Sequence, residues 1–280
     1  DNKVMTKRAI LSMARKNGKG LALDTPIPTP QGWRRMGDLR EGDQVFDEHG
    51  VPCTVQFVSP VHVGLRCWRL TFSDGSSIVA DEQHRWLTTS KWRPWRSSGV
   101  WPKKRDPEVV TTPQIADSVH VPRPDGAPEH NHGIRTAGAL QTEPVALPLD
   151  PYLLGCWLGD GSAHGARLTC GEQDFAHFQR AVGDAVGCEP SSQYDGSVWT
   201  LRLSGGRGGS RGAKVQTVLR RIGVLGDKHI PEMYLWAGLE QRRALLQGLM
   251  DTDGTVTPTG LSGAVSCSFA NTNERIARGV

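Results

Sequence analysis

The sequence predicts two unlike parts, a β-rich N-terminal region and a mixed α+β region after Asp150-Pro151. Three observations predict this. From Leu21 to Thr89, short apolar runs are separated by turns containing Gly and Pro, the pattern of an all-β region. Residues 90–150 are rich in Pro, Trp and polar residues, and Pro122-Arg-Pro-Asp-Gly-Ala-Pro128 reads as a linker or excursion. Beyond Pro151, apolar stretches of helical length alternate with short strand-like runs.

In the first part, strands are expected at Gln44-Val-Phe46, Cys53–Val58, Trp68–Phe72 and Ser77–Ala80, with turns at Glu48-His-Gly50 and Ser73-Asp-Gly75. In the second, Pro151 suits the start of a helix over Tyr152–Gly159. A strand at Ala166–Cys170, a helix over Asp174–Val186 and a strand at Ser197–Leu203 follow. Next come a basic helix around Ala213–Ile222 and an apolar helix over Gln241–Met250. A strand at Ala264–Ala270 and a helix opening at Asn273 complete the order.

The bulk numbers bound the function. A chain of 280 residues with 37% hydrophobic and 22% charged residues has the profile of an ordinary globular protein of two domains. No apolar run approaches the ~20 residues that span a bilayer. The start, Asp1-Asn-Lys-Val-Met-Thr-Lys-Arg8, carries no export signal, so a cytoplasmic location is expected, and the resemblances carried by motifs further along the chain imply a monomer in a bacterial or phage-infected cell. Six cysteines lie far apart without a Cys-x-x-Cys pair, which points to reduced thiols rather than a zinc site or disulfides. A net charge of +4 permits nucleic-acid binding without requiring it.

Two segments resemble each other: Leu153-Leu-Gly-Cys-Trp-Leu-Gly-Asp-Gly161 and Leu246-Gln-Gly-Leu-Met-Asp-Thr-Asp-Gly254. Each is an apolar helix with an internal Gly that permits close packing, and each ends in an acid followed by a Gly suited to a left-handed cap. Parallel packing would bring Asp160 and Asp253 side by side. Adjacent carboxylates repel, and hard oxygen ligands attract Mg²⁺, the pairing that in-line phosphodiester hydrolysis uses. Capping of two core helices is the plainer reading of either segment alone.

The repeat resembles the LAGLIDADG homing endonucleases, with Gly248, Asp251 and Asp253 matching in the second copy. In the first copy Asp160 matches and Gly159 replaces the first acid. The resemblance implies an α+β endonuclease of two αββαββα halves, here with the second half truncated. It also implies double-stranded DNA as substrate and Mg²⁺ on Asp160 and Asp253. Leu225-Gly-Asp-Lys-His-Ile-Pro231 resembles a Lys-x-Ile-Pro element of intein endonucleases, which implies a supporting catalytic role for Lys228 in charge stabilisation or water activation. A surface lysine before a turn is the alternative. Arg202, Arg207 and Arg211 are candidates for phosphate contacts.

Upstream, Gly20-Leu-Ala-Leu-Asp-Thr-Pro-Ile-Pro-Thr-Pro-Gln-Gly-Trp-Arg-Arg-Met-Gly-Asp-Leu39 resembles the opening block of inteins. Asp74-Gly-Ser-Ser-Ile-Val-Ala-Asp-Glu-Gln-His-Arg-Trp-Leu-Thr88 resembles their next block. The resemblance implies the N-terminal part of a β-rich Hint (Hedgehog/intein) domain that splices without a cofactor. The splice junction would be Lys19-Gly20, and His84 would polarise the scissile peptide. Asp81 stands where the block carries Thr, and Gly20 replaces the usual Cys or Ser nucleophile. Three explanations compete: an engineered change, a decayed intein, or the class without an N-terminal nucleophile. That class carries a Trp two residues after the histidine, where Trp86 stands.

Residues 1–19 then read as a flank of the interrupted host, and Arg15-Lys-Asn-Gly-Lys19 resembles the ATP-binding loop of phage terminase large subunits. Met13 departs from the loop pattern, and no hydroxyl residue follows Lys19, so ATPase activity is not expected. The expected division is 1–19 host flank, 20–90 splicing, 91–144 linker or insert and 145–280 endonuclease. Lacking the closing His-Asn pair, the chain alone is not expected to splice. The contrary readings are a catalytically dead insert that only binds DNA or acts structurally, and a fragment of a terminase ATPase.

Overall fold

The computed structural model describes residues 20–90, 107–122, 126–205, 211–259 and 264–280, which divide into units covering 20–141 and 142–280. In the first unit, β1 (Pro26–Thr29) and β2 (Gly32–Arg35) form an antiparallel hairpin, and β3 (Gln44–Phe46) pairs with β4 (Pro52–Thr54). A third hairpin joins β5 (Cys67–Thr71) to β6 (Ser77–Asp81). Its turn is set by Gly75 at φ 81° and by the Asp74 carboxylate, which accepts from the Ser76 amide at 2.9 Å. Such a side chain stands in for a backbone turn bond, and Gly removes the penalty of positive φ.

The strand β7 (Arg85–Ser90) buries Trp86, Thr88 and Ser90 on alternate positions. It lies between β8 (Glu108–Thr111) and β11 (His132–Ile134), with α1 (Thr112–Asp117), β9 (His120–Pro122) and β10 (Pro128–His130) between those two in sequence. The segment expected to be a linker therefore supplies two strands beside the histidine block. Ala80, Trp86 and Ile115 form the core here, with Leu21, Leu70, Ile78 and Val110 packed against them. The strand expected over Cys53–Val58 ends at Thr54, because Val55 turns into a second small core with Leu39 and Val45 while Phe57 is 68% exposed.

The second unit is built around two helices, α2 (Pro151–Asp160) and α6 (Leu239–Asp253). Between them lie β12 (Arg167–Cys170), α3 (Phe175–Val186), β13 (Pro190–Tyr194), β14 (Trp199–Gly205), α4 (Arg211–Arg221) and α5 (Glu232–Leu235). A hairpin of β15 (Gly254–Thr259) and β16 (Ala264–Phe269) follows α6 and leads into α7 (Glu274–Gly279). The sheet order is β12-β14-β13, all antiparallel. Only β12 stands as a named strand between α2 and α3, where the expected αββ order has two. A bridge from Gly161 to Leu168 takes the place of the other. Helix, short antiparallel return and helix thus occur twice, at α2–α3 and at α6–α7.

Local sequence explains the two central helices. The Asp150 carboxylate accepts from the Leu153 amide at 2.9 Å with Pro151 at the first helical position, so α2 starts where an N-cap and a preset φ coincide. In α6 the Gln241 side-chain carbonyl accepts from the Gly238 amide at 3.0 Å. Leu153, Leu154, Trp157 and Leu158 are almost wholly buried, continuous with Leu168, Leu201, Leu203, Leu219 and Leu249. Burying one such side chain contributes on the order of 2 kcal/mol, and truncating it costs about 2–5 kcal/mol.

Candidate functional site

The helices α2 and α6 meet backbone to backbone. A methyl group on Gly155 would fall on the Leu245 carbonyl, and one on Gly248 would fall on the Tyr152 carbonyl. Further along, a methyl on Gly159 would strike Thr252 and stand 3.0 Å from Asp253 Oδ2. Contacts that advance together along both helices mean that the helices run parallel. Asp160 and Asp253, the last residues of each, therefore arrive at one place.

The following glycines do not adopt the expected left-handed cap. Gly161 (φ −77°, ψ 152°) and Gly254 (φ −88°, ψ 156°) are extended, because each chain passes straight from the helix into a strand pairing. Glycine is needed for room instead: a Cβ at either position would fall on the carbonyl four residues earlier, Trp157 or Met250.

The electrostatics follow from this convergence. Partial burial pushes the Asp160 carboxyl above its usual range, the Asp253 and Asp174 carboxylates add to the rise, and Lys228 opposes it. Burial lowers the pKa of Lys228, while Asp160 and Asp253 pull it back up. The Lys228 ammonium donates to the carbonyls of Leu158 (3.0 Å), Gly159 (3.0 Å) and Gly161 (2.7 Å), and lies 5.1 Å from the Trp157 ring centre. Its cation thus sits at the negative end of the α2 dipole. The Asn271 amide donates to Asp253 Oδ2 at 2.6 Å.

Among the described residues, no group of three or more His, Cys, Asp or Glu gathers to hold a metal. Two repelling carboxylates nevertheless fit Mg²⁺, which keeps several waters and needs one or two protein carboxylates beside substrate phosphates. Asp251, the earlier acid of the second repeat, turns elsewhere: the Tyr152 hydroxyl donates to its Oδ2 at 2.7 Å, and His177 Nε2 lies 2.7 Å from the same hydroxyl. Arg202 is exposed on β14, opposite Arg167 of β12 in register. Arg211 opens α4, and Arg207 lies outside the described residues.

In the first unit, Gly20 stands against Asp81. The Asp81 amide donates to the Gly20 carbonyl at 2.6 Å, and Leu21 bridges Ala80, so the chain enters beside β6. Gly20 has φ 103°, and a Cβ there would collide with the Asp81 carboxylate. That carboxylate accepts from the Gln83 amide at 2.9 Å and is buried. His84 is also buried and meets the Trp86 ring edge-on at 4.6 Å between centres. The Trp86 indole donates to Thr112 Oγ1 at 3.0 Å, which ties the block to α1. A cavity of about 320 Å³ is lined by Gly20, Leu23, Met36, Val55, Phe57 and Asp81 among others, and His84 is not one of its lining residues. Lys19 lies outside the described residues.

In sequence, the chain is 37% identical over 267 residues to the replicative DNA helicase DnaB of Mycobacterium intracellulare, covering 93% of this chain and 41% of that protein. It is 49% identical over 72 residues to DnaB of Mycobacterium leprae (strain TN), covering 26% of this chain and 12% of the relative. The chain thus spans about two fifths of the longer match. Among solved structures, it is similar to the Msm DnaB1 intein splicing domain bound with zinc, at 50% identity over 24% of this chain and 54% of that chain, TM-score 0.24. The MchDnaB-1 intein is similar at 33% identity over 42% of this chain and 76% of that chain, TM-score 0.27. No family model matches.

These findings correct the expected host. The curated relatives are replicative helicases and not terminase large subunits, and residues 1–19, which carried the terminase resemblance, lie outside the described residues. Five loop-like residues are too few to separate one nucleotide-binding host from another. Asn271, Asn273 and Asp174 were not legible as site residues, because each is brought to the acids or their helices by tertiary packing, and Tyr152 of α2 meets Asp251 only through the packing of α2 on α6. The only local signal was Asn271-x-Asn273 ahead of a helix, a capping pattern. Among the described residues, no helix is long and apolar enough to cross a membrane.

Proposed function

We propose that the chain is part of a protein-splicing element in a DnaB-like replicative helicase host, carrying a LAGLIDADG-type domain that cleaves double-stranded DNA. The observation that carries the endonuclease reading is the glycine-on-glycine parallel packing of α2 and α6, which delivers Asp160 and Asp253 to one site beside Lys228. The splicing reading is supported by the intein-like blocks, and the DnaB-like host by 37% identity to a DnaB helicase over 93% of the chain. It is also supported by the placement of Gly20 against Asp81. On this reading residues 1–19 are host, the first unit belongs to the splicing domain, and the second is the endonuclease.

Asp160 and Asp253 would hold Mg²⁺, which when bound supplies charge stabilisation for phosphodiester cleavage. Arg167 and Arg202 present paired positive charge on the sheet for phosphate contact. At the other site the Lys19-Gly20 peptide is the upstream junction, and Gly20 offers no side-chain nucleophile, so the attacking group must come from elsewhere in the complete element. The Asp81 carboxylate occupies the volume that such a side chain would need, which favours the class without an N-terminal nucleophile.

The test is Mg²⁺-dependent cleavage of a plasmid bearing the uninterrupted host junction, with Asp253→Ala as control. Linearisation that disappears in the control is expected. Intact plasmid after incubation with folded, unsubstituted protein overturns the endonuclease reading and leaves splicing as the activity of the element.

A further inference from the structure

The turn after β16 carries a polar chain that reaches Asp253 and, through Lys228, the end of α2. Asn271 Nδ2 donates to Asp253 Oδ2 at 2.6 Å, while its Oδ1 accepts from the Asn273 amide at 2.7 Å. The second bond fixes which end of the carboxamide faces the carboxylate, since only the amide nitrogen can donate. Asn273 is oriented in the same way. Its Oδ1 accepts from the Arg275 amide at 3.0 Å as the cap of α7, and its Nδ2 donates to the Lys228 carbonyl at 2.7 Å. Arg275 also pairs with Asp227 at 2.5 Å, fastening the residue before Lys228 to α7.

From Lys228 the chain continues to the other helix. An ammonium has three protons, and three carbonyls of the α2 terminus lie within 3.0 Å of Nζ. This occupancy leaves Lys228 neither a lone pair nor a spare proton for the reacting groups. It holds the last turn of α2, where Gly161 donates to the Trp157 carbonyl at 3.0 Å, and so aims Asp160.

We infer that Asn271, Asn273 and Lys228 form a strap of positioning residues that sets the two acids at one spacing, with Asn271 orienting Asp253 directly. This rests on the reading of Asp160 and Asp253 as a cation-binding pair. It assigns Lys228 to geometry rather than to water activation. Carboxylate ligands are held in place by outer hydrogen bonds, and loss of such a partner typically weakens cation binding 10–100-fold.

Two measurements on the full chain separate the strap from the pair. Calorimetric titration with Ca²⁺ and Mg²⁺ should show binding by the unsubstituted protein, about tenfold or more weaker binding in Asn271→Ala, and partial recovery in Asn271→Gln, with melting temperatures nearly equal. Hydrogen exchange should show the amides of residues 158–161 opening faster in Asn273→Ala and Lys228→Met. Equal cation affinity in Asn271→Ala overturns the role of Asn271, and unchanged exchange in both other variants overturns the strap. If the unsubstituted protein binds neither ion, the cation-pair reading fails, and exchange still decides whether the strap exists.

Discussion

Gly155→Ala tests the packing on which the site depends. The added methyl would land on the Leu245 carbonyl and within 2.9 Å of the Leu249 amide nitrogen. These are backbone atoms, so no rotamer change relieves the overlap and the two helices must separate. Overpacking of this kind costs about 1–3 kcal/mol, and the unyielding neighbour puts the cost at the upper end. Against it, Ala is favoured over Gly in a helix interior by about 1 kcal/mol. A net loss of roughly 2 kcal/mol remains, which lowers the melting temperature of a unit this size by roughly 4–10 °C. Gly183→Ala in α3 is the control: there the methyl meets the Cys188 carbonyl and Pro190 Cδ at 3.7 Å, ordinary contact, so propensity alone acts and the protein gains up to about 1 kcal/mol. Thermal unfolding followed by circular dichroism reads both. Opposite signs are expected; stabilisation by both substitutions would refute the close contact and with it the convergence of Asp160 and Asp253.

Gly20→Ser should destabilise the first unit by about 2 kcal/mol through positive φ and overlap with Asp81, and Asp81→Thr in the same chain should recover part of the loss on thermal unfolding. Burial lowers the pKa of His132, whose ring nitrogens face Thr88 and Ser118. Protonation then favours the unfolded chain, so stability present above pH ~6.5 is lost as pH falls below it, and His132→Gln should flatten the fall between pH 7 and 5. Burial pushes the Cys156 thiol up to about 12, so at pH 8 iodoacetamide should label exposed Cys53, Cys67 and Cys267 well before Cys156, as mass spectrometry can follow. Faster labelling of Cys156 would mean that the α2–α6 core opens readily.

The second unit was more legible than the first. Its central helices announce themselves through apolar runs that end in acid and glycine, and Asp150-Pro151 marks the start of α2 to the residue. The turns at Gly50 and Gly75 also take positive φ as their composition demands. The β1–β2 hairpin was hidden because Pro26 and Pro28 read as punctuation, yet proline is tolerated on a strand that, among the described residues, belongs to a two-stranded ribbon. Strands of three or four residues at β8–β11 have too little local pattern to be read; β8 and β11 are held by pairing with β7, and β9 and β10 by pairing with each other. Asp160, Asp253 and Lys228 were singled out by their motifs, whereas Asn271 was not, since it reaches Asp253 across 18 positions with no motif of its own.

The raised pKa of Asp160 has a consequence for how such a chain changes over generations. Burial, with Asp253 and Asp174 adding to it, makes the charged form of Asp160 the less favoured one in the fold, so Asp160→Asn is a change that stability alone rewards. The glycine contact beneath it does not depend on the charge, and the fold would survive the replacement. Drift without demand on the site therefore runs towards an amide at position 160. Asp160 thus carries a cost in stability that the glycine packing of the two helices does not require.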